Sequence, residues 1–205
     1  MIRGELDLPG GGATPDEAWA ELLAGNQRLR DGTPDYPRRS QDAREAVVSG
    51  QRPIAAVLGC SDSRVPLEIV FDQGYGDIFA VRAVGPTLSI SSIGSVEYAV
   101  VELEVPLVVV LTHHLCGALA TARHLATSGM DEYADLPGML PEVIAGIRRS
   151  TSLADPADAP TQHAQDVVTG LTERSAPVRE AVAAGRLRVV GAVYSIQTGE
   201  VIAVT

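Results

Sequence analysis

Two short, unbroken apolar runs constrain this chain more than any other feature. Ile54 to Leu58 and Leu107 to Leu111 are rich in β-formers and contain no polar residue, the pattern of strands buried on both faces. Strands of that kind belong to mainly parallel sheets covered by helices. Both runs end in reactive side chains. Past Leu58 come Cys60, Asp62 and Arg64, then Pro66 in a position suited to the start of a helix. Past Leu111 come Thr112, His113, His114, Leu115, Cys116 and Gly117. Ligands of open α/β sheets sit at the carboxyl ends of strands. If the two runs lie side by side and parallel, both sets of side chains converge on one crevice.

The rest of the chain fits that frame. Residues 1–13 end in Gly10-Gly11-Gly12 and read as a flexible lead-in, because no strand precedes the glycines and no lysine follows them. Thr14-Pro15-Asp16-Glu17 combines an N-cap, a first-turn proline and a capping-box glutamate. The helix it opens carries Ala18, Trp19, Leu22, Leu23 and Leu29 on one stripe, which must be buried somewhere. A short helix is expected over residues 41–49, a helical turn over Leu67–Gln73, a strand over Asp77–Val81 and a helix over residues 90–104. Another helix is expected from Gly117, a further one at Glu142–Arg149 in a proline-punctuated stretch, and mostly helix over 161–184. Leu187–Ile196 reads as a strand, with Glu200–Thr205 folding back across Thr198-Gly199. The expected fold is α/β: a mainly parallel central sheet of four to five strands flanked by helices, with an N-terminal helical arm. Residues 14–205 read as a single domain.

Composition narrows the partners. A formal charge of −10 and a pI near 4.8 repel polyanions, so neither nucleic acid nor an anionic membrane surface is expected. No apolar run approaches the roughly 20 residues a membrane span needs, and the start of the chain lacks the apolar core of a signal peptide, so a cytoplasmic location is expected. Two cysteines are too few for a secreted disulfide scaffold, and their places after strands suggest metal or redox chemistry.

Two thiols and one imidazole make three ligands of a zinc site, with the fourth position left for water or for Asp62. Spacing admits either His113 or His114 as the imidazole. Zinc held by two thiolates acidifies its water less than zinc held by histidines alone, so help with the proton is useful. Asp62 can accept a hydrogen bond from that water, and Arg64 can hold Asp62 by a bidentate pair that also keeps it off the metal. If the pair breaks, Asp62 becomes a fourth ligand and displaces the nucleophile.

The segments C-S-D-S-R-V-P (Cys60–Pro66) and H-H-L-C-G-A (His113–Ala118) resemble the paired signatures C-x-D-x-R and H-x-x-C-G of the β-class carbonic anhydrases. Similarity continues through Phe71–Arg82, Ser95–Val100 and Y-S-I-Q-T-G-E-V near the C-terminus, so it covers residues 14 to 205. The resemblance implies zinc on Cys60, His113 and Cys116, an Asp62–Arg64 dyad, and attack of zinc-bound hydroxide on carbon dioxide to give bicarbonate. It also implies that Gln51 borders the substrate pocket, often from a neighbouring subunit. The amide of Gly117 is a candidate donor to substrate oxygen, against a purely conformational role for that glycine. A homodimer or homotetramer is implied, with the N-terminal helix packed across a partner, against the plainer alternative that it packs on its own domain. One departure stands out: Arg82-Ala83-Val84-Gly85-Pro86 replaces the family's R-N-x-G-N loop beside the site. Two other functions compete: hydrolysis of carbonyl sulfide or carbon disulfide on the same scaffold, and a non-catalytic zinc-binding interaction subunit.

Overall fold

The computed structural model describes residues 12–128, 143–147, 155 and 157–205. The lead-in read over residues 1–13 falls outside them except at its end. So do both ends of the helix read over Glu142–Arg149.

Five strands form one sheet in the order β2-β1-β3-β4-β5. They are β1 (Ala55–Cys60), β2 (Ile78–Ala83), β3 (Leu107–His113), β4 (Arg188–Tyr194) and β5 (Val201–Ala203). The first four run parallel, and β5 returns antiparallel to β4. β1 and β3 are buried at every residue, as their uninterrupted apolar runs require. Both strands extend past those runs, to Cys60 and His113. The backbone ladder continues where the side chains turn polar, through the pairs Cys60↔Ala83 and His113↔Tyr194.

The helices are α1 (Pro15–Arg30), α2 (Gln41–Ala46), α3 (Leu67–Val70), α4 (Ile90–Val101), α5 (Gly117–Ser128), α6 (residues 143–147), α7 (Ala159–Arg174) and α8 (Ala176–Ala183). The stretch expected to be mostly helical over 161–184 is two helices. Ser175 divides them, its hydroxyl accepting from the Val178 amide to cap α8.

Side-chain alternation along the strands splits the core into two layers. Ala55, Val57, Leu107, Val109 and Leu111 face α1 and α3, whereas Ala56, Leu58, Val108 and Val110 face α4, α7 and α8. From β1 the chain crosses to β2 on one side and then returns to place β3 on the other. β1 and β3 therefore flank a topological switch point, where a crevice opens at the strands' carboxyl ends.

The N-terminal helix α1 precedes the sheet. It begins with the expected capping box, in which the Glu17 carboxylate accepts from the Thr14 amide at 2.8 Å and the Thr14 hydroxyl accepts from the Glu17 amide at 3.3 Å. Its stripe then packs on its own chain, with Ala18, Trp19 and Leu22 joining the layer of Leu67, Phe71, Leu107 and Tyr194. Buried Asn26 fixes the seat. Its amide nitrogen donates to the carbonyls of Val70 and Gly199, and its amide oxygen accepts from the Val201 N–H.

Candidate metal centre

Each half of the site lies at the end of a strand, where the chain turns into a helix. After β1, the Asp62–Arg64 turn leads to Pro66, the N-cap of α3. After β3, the chain must reverse between His113 and Cys116 to enter α5. It does so through Leu115, at φ +57, a left-handed conformation unusual for a branched residue. The donor atoms of Cys60, His113 and Cys116 lie within 4.8 Å of one another, and all three residues are buried.

The chemistry of this donor set fits a soft or borderline divalent metal. His113 Nδ1 lies 2.9 Å from the His114 carbonyl, which can only accept, so Nδ1 carries the proton and Nε2 presents a lone pair. That Nε2 is buried without a hydrogen-bond partner among the described residues. A buried polar atom left in that state is costly unless something binds it. The neighbouring Cys116 brings Cys60 down to about 4 despite its burial, helped by His113 and by the amides of Asp62 and Gly85. The neighbouring Cys60, together with burial, pushes Cys116 far up. Burial opposes the charged form of His113, but the Cys60 sulfur, the His114 carbonyl and the Asp62 carboxylate outweigh it and raise its pKa. His114 is exposed and stands outside the cluster.

Asp62 is held beside the cluster. Arg64 grips it bidentately, Nε to Oδ1 at 2.9 Å and Nη2 to Oδ2 at 2.6 Å, and the Arg64 amide adds a third bond to Oδ1. The guanidinium holds this carboxyl well below the usual carboxylate range. Asp62 Oδ2 is 3.8 Å from His113 Nε2, near the cluster but turned toward Arg64. Arg64 Nη2 also donates to the Leu115 carbonyl at 3.1 Å, so one side chain ties the two donor-bearing segments together.

The remaining candidates separate. Gly117 opens α5, exposed; a Cβ there would meet nothing within 4 Å and its φ is not positive, so the conformational reading of this glycine has no support. Gln51 precedes the amino end of β1, about 20 Å of strand away from Cys60 at the other end. It does not join its own chain's cluster. Sequence reasoning missed Arg82, which donates from Nε to the Cys60 carbonyl at 3.0 Å and from Nη2 to the Asp62 carbonyl at 2.8 Å. The strand register that sets it opposite Gly59 is seen only in the fold. His163, on α7, is buried, and its Nε2 lies 2.7 Å from the Gly85 carbonyl. A cavity of about 540 Å³ adjoins Cys116, bordered among the described residues by Leu115, Leu119, Arg123 and Pro160.

Comparison with known proteins identifies the family. The family model described as "Carbonic anhydrase" matches residues 55–201. "Carbonic anhydrase 2" of Mycobacterium tuberculosis is 39% identical over 197 residues, covering 92% of each chain. Among solved structures, the β-carbonic anhydrase CcaA superposes with a TM-score of 0.70 at 23% identity, covering 90% of this chain and 94% of its own. A tetrameric β-carbonic anhydrase of Sordaria macrospora superposes with a TM-score of 0.64 at 22% identity, covering 92% of each chain. Fold, family model and relatives agree: the chain belongs to the carbonic anhydrase family, in its β class.

Proposed function

We propose that this chain catalyses the reversible hydration of carbon dioxide to bicarbonate and a proton. Zinc is its cofactor, Cys60, His113 and Cys116 its ligands, and Asp62 with Arg64 its proton-handling dyad. The observation that carries this reading is the buried Nε2 of His113, without a hydrogen-bond partner among the described residues and within 4.8 Å of the Cys60 and Cys116 sulfurs, with a clamped carboxylate alongside. Zinc held there would lower the pKa of a water and so supply a nucleophile near neutral pH.

The chain's own residues do the rest. Asp62, kept ionised by Arg64, accepts a hydrogen bond from the attacking water and orients its lone pair toward the substrate carbon. The same clamp keeps Asp62 out of the coordination sphere. Released from Arg64, the carboxylate, 3.8 Å from His113 Nε2, would be free to serve as a fourth donor to the ion. Gly117 offers an unobstructed amide at the start of α5 to a substrate oxygen. Gln51 lies ahead of the amino end of β1, too far from Cys60 to take part, so it serves the site of a neighbouring protomer in a homodimer or homotetramer. We read residues 14–205 as one domain acting in the cytoplasm; no described helix is long and apolar enough to cross a membrane.

Stopped-flow carbon dioxide hydration, before and after chelation and again after zinc is restored, tests the proposal. Activity should vanish on chelation and return with zinc. Turnover of carbonyl sulfide or carbon disulfide well ahead of carbon dioxide would replace it with the hydrolase reading. A zinc-loaded protein inert toward all three gases would leave a zinc-binding interaction subunit.

A further inference from the structure

The turn that carries both Cys60 and Asp62 is pinned by a side chain from the neighbouring strand. Arg82 stands on β2 opposite Gly59, just before the end of β1. From there its guanidinium reaches past the strand end and forks over two carbonyls, Nε donating to that of Cys60 at 3.0 Å and Nη2 to that of Asp62 at 2.8 Å. Each of these peptide groups has a second anchor. The Ser61 N–H, in the same peptide as the Cys60 carbonyl, donates to the Ala83 carbonyl at 2.9 Å, and the Asp62 carbonyl also accepts from the Val65 N–H at 3.0 Å. Between these two fixed peptides lies a third, joining Ser61 to Asp62. Its N–H, that of Asp62, donates to the Cys60 sulfur with a nitrogen-to-sulfur distance of 3.4 Å. Peptide groups are planar, so one whose neighbours on both sides are fixed has little freedom to rotate. The same turn sets where the Asp62 carboxylate leaves the backbone, within reach of Arg64.

We propose that Arg82 is a positioning residue: its fork over the Cys60 and Asp62 carbonyls holds the Asp62 amide on the Cys60 sulfur, and so ties the donor strength of that ligand to the placement of the neighbouring carboxylate. A hydrogen bond to a metal-bound sulfur draws off part of its charge and fixes its orientation, and loss of such outer partners typically weakens metal binding or activity about 10- to 100-fold. The planar guanidinium presents two N–H groups side by side to two carbonyls of one turn, whereas lysine offers the same charge at a single point. The inference rests on the metal reading of the cluster, which the metal content of the wild-type protein tests by itself.

The test uses Arg82→Ala and Arg82→Lys in the full chain, with cobalt and zinc as probes. In the cobalt-loaded protein both substitutions should shift the thiolate-to-cobalt charge-transfer band to the red, because a sulfur lacking a hydrogen bond gives up charge more readily. Both should also release zinc to a chelator about 10-fold faster than the wild type. A lysine variant that matches the wild type in both readouts would show that charge suffices without the fork, and would overturn the proposal. A lowered melting temperature with an unchanged band and unchanged zinc release would reduce Arg82 to an anchor between strands and overturn it as well. Should R82A not fold, R82K decides by the same two readouts. Neither readout needs carbon dioxide, so a failure of the hydration reading leaves this test standing. Wild-type protein that takes up neither metal would remove the metal reading and this inference with it; metal-loaded wild type with variants indistinguishable from it would remove this inference alone.

Discussion

Asp62 is placed where its removal and the removal of a ligand give different results. It sits beside the cluster but belongs to Arg64, so Asp62→Asn should keep its zinc. It should lose about 10²- to 10⁴-fold in hydration rate, the usual worth of a positioned proton acceptor. Stopped-flow rates set against metal content per chain check this. Cys116→Ser removes a donor instead, and inductively coupled plasma analysis after dialysis should find that variant largely free of zinc. Cys60, Asp62, Arg64, His113 and Cys116 were legible because their chemistry is written in residue type and each comes after an apolar strand. Spacing alone left His113 and His114 undecided. Arg82 and His163 were not legible, because they act through backbone carbonyls of distant segments, and any residue type can supply a carbonyl.

At the scale of elements, α1 and the loop after it are joined to the sheet by contacts that can be broken singly. Gly25 lies so close to the end of α3 that a Cβ would stand 1.8 Å from the Phe71 carbonyl oxygen. Gly25→Ala must push the helix away and should cost about 1–3 kcal/mol in urea unfolding. Asp72 has a buried carboxylate that accepts from Arg28 at 2.8 Å and from the amides of Asp35 and Tyr36. Burial works against its charge, yet these partners prevail and its pKa lies below the ordinary value. A carboxyl with a depressed folded pKa contributes stability that is present above its unfolded pKa, about 3.9, and is lost as pH falls through the folded value. Asp72→Asn should therefore cost about 2 kcal/mol at neutral pH and flatten the fall in melting temperature below pH 4. The helix itself was plain in the sequence from its capping box and stripe. What the stripe packs against was not, since periodicity states that a face is buried without naming what covers it. The Asn26 contacts to α3 and the final hairpin settle that point.

For the whole molecule, strand and helix alternation made the parallel sheet readable, but not its order. The order depends on which side of β1 each crossover lands, a choice made by packing across the two faces. The resulting edge strand β2 is only partly covered, and nearby Ile90, Tyr98 and Val101 are exposed. Light scattering should find dimers or tetramers. Because each protomer carries a formal charge of −10, added salt should tighten their association by screening repulsion.

The pairing of β1 with β3, Gly59 opposite Leu111, joins segments far apart in the chain. Until that pairing forms, no three donors stand near one another. During refolding, capture of an ion should accordingly trail the fluorescence change of Trp19, the sole tryptophan, as it enters the core. A nascent chain on the ribosome carries only its first thiol until β3 and the turn after it have emerged, and so has no such grip on a stray cation before then.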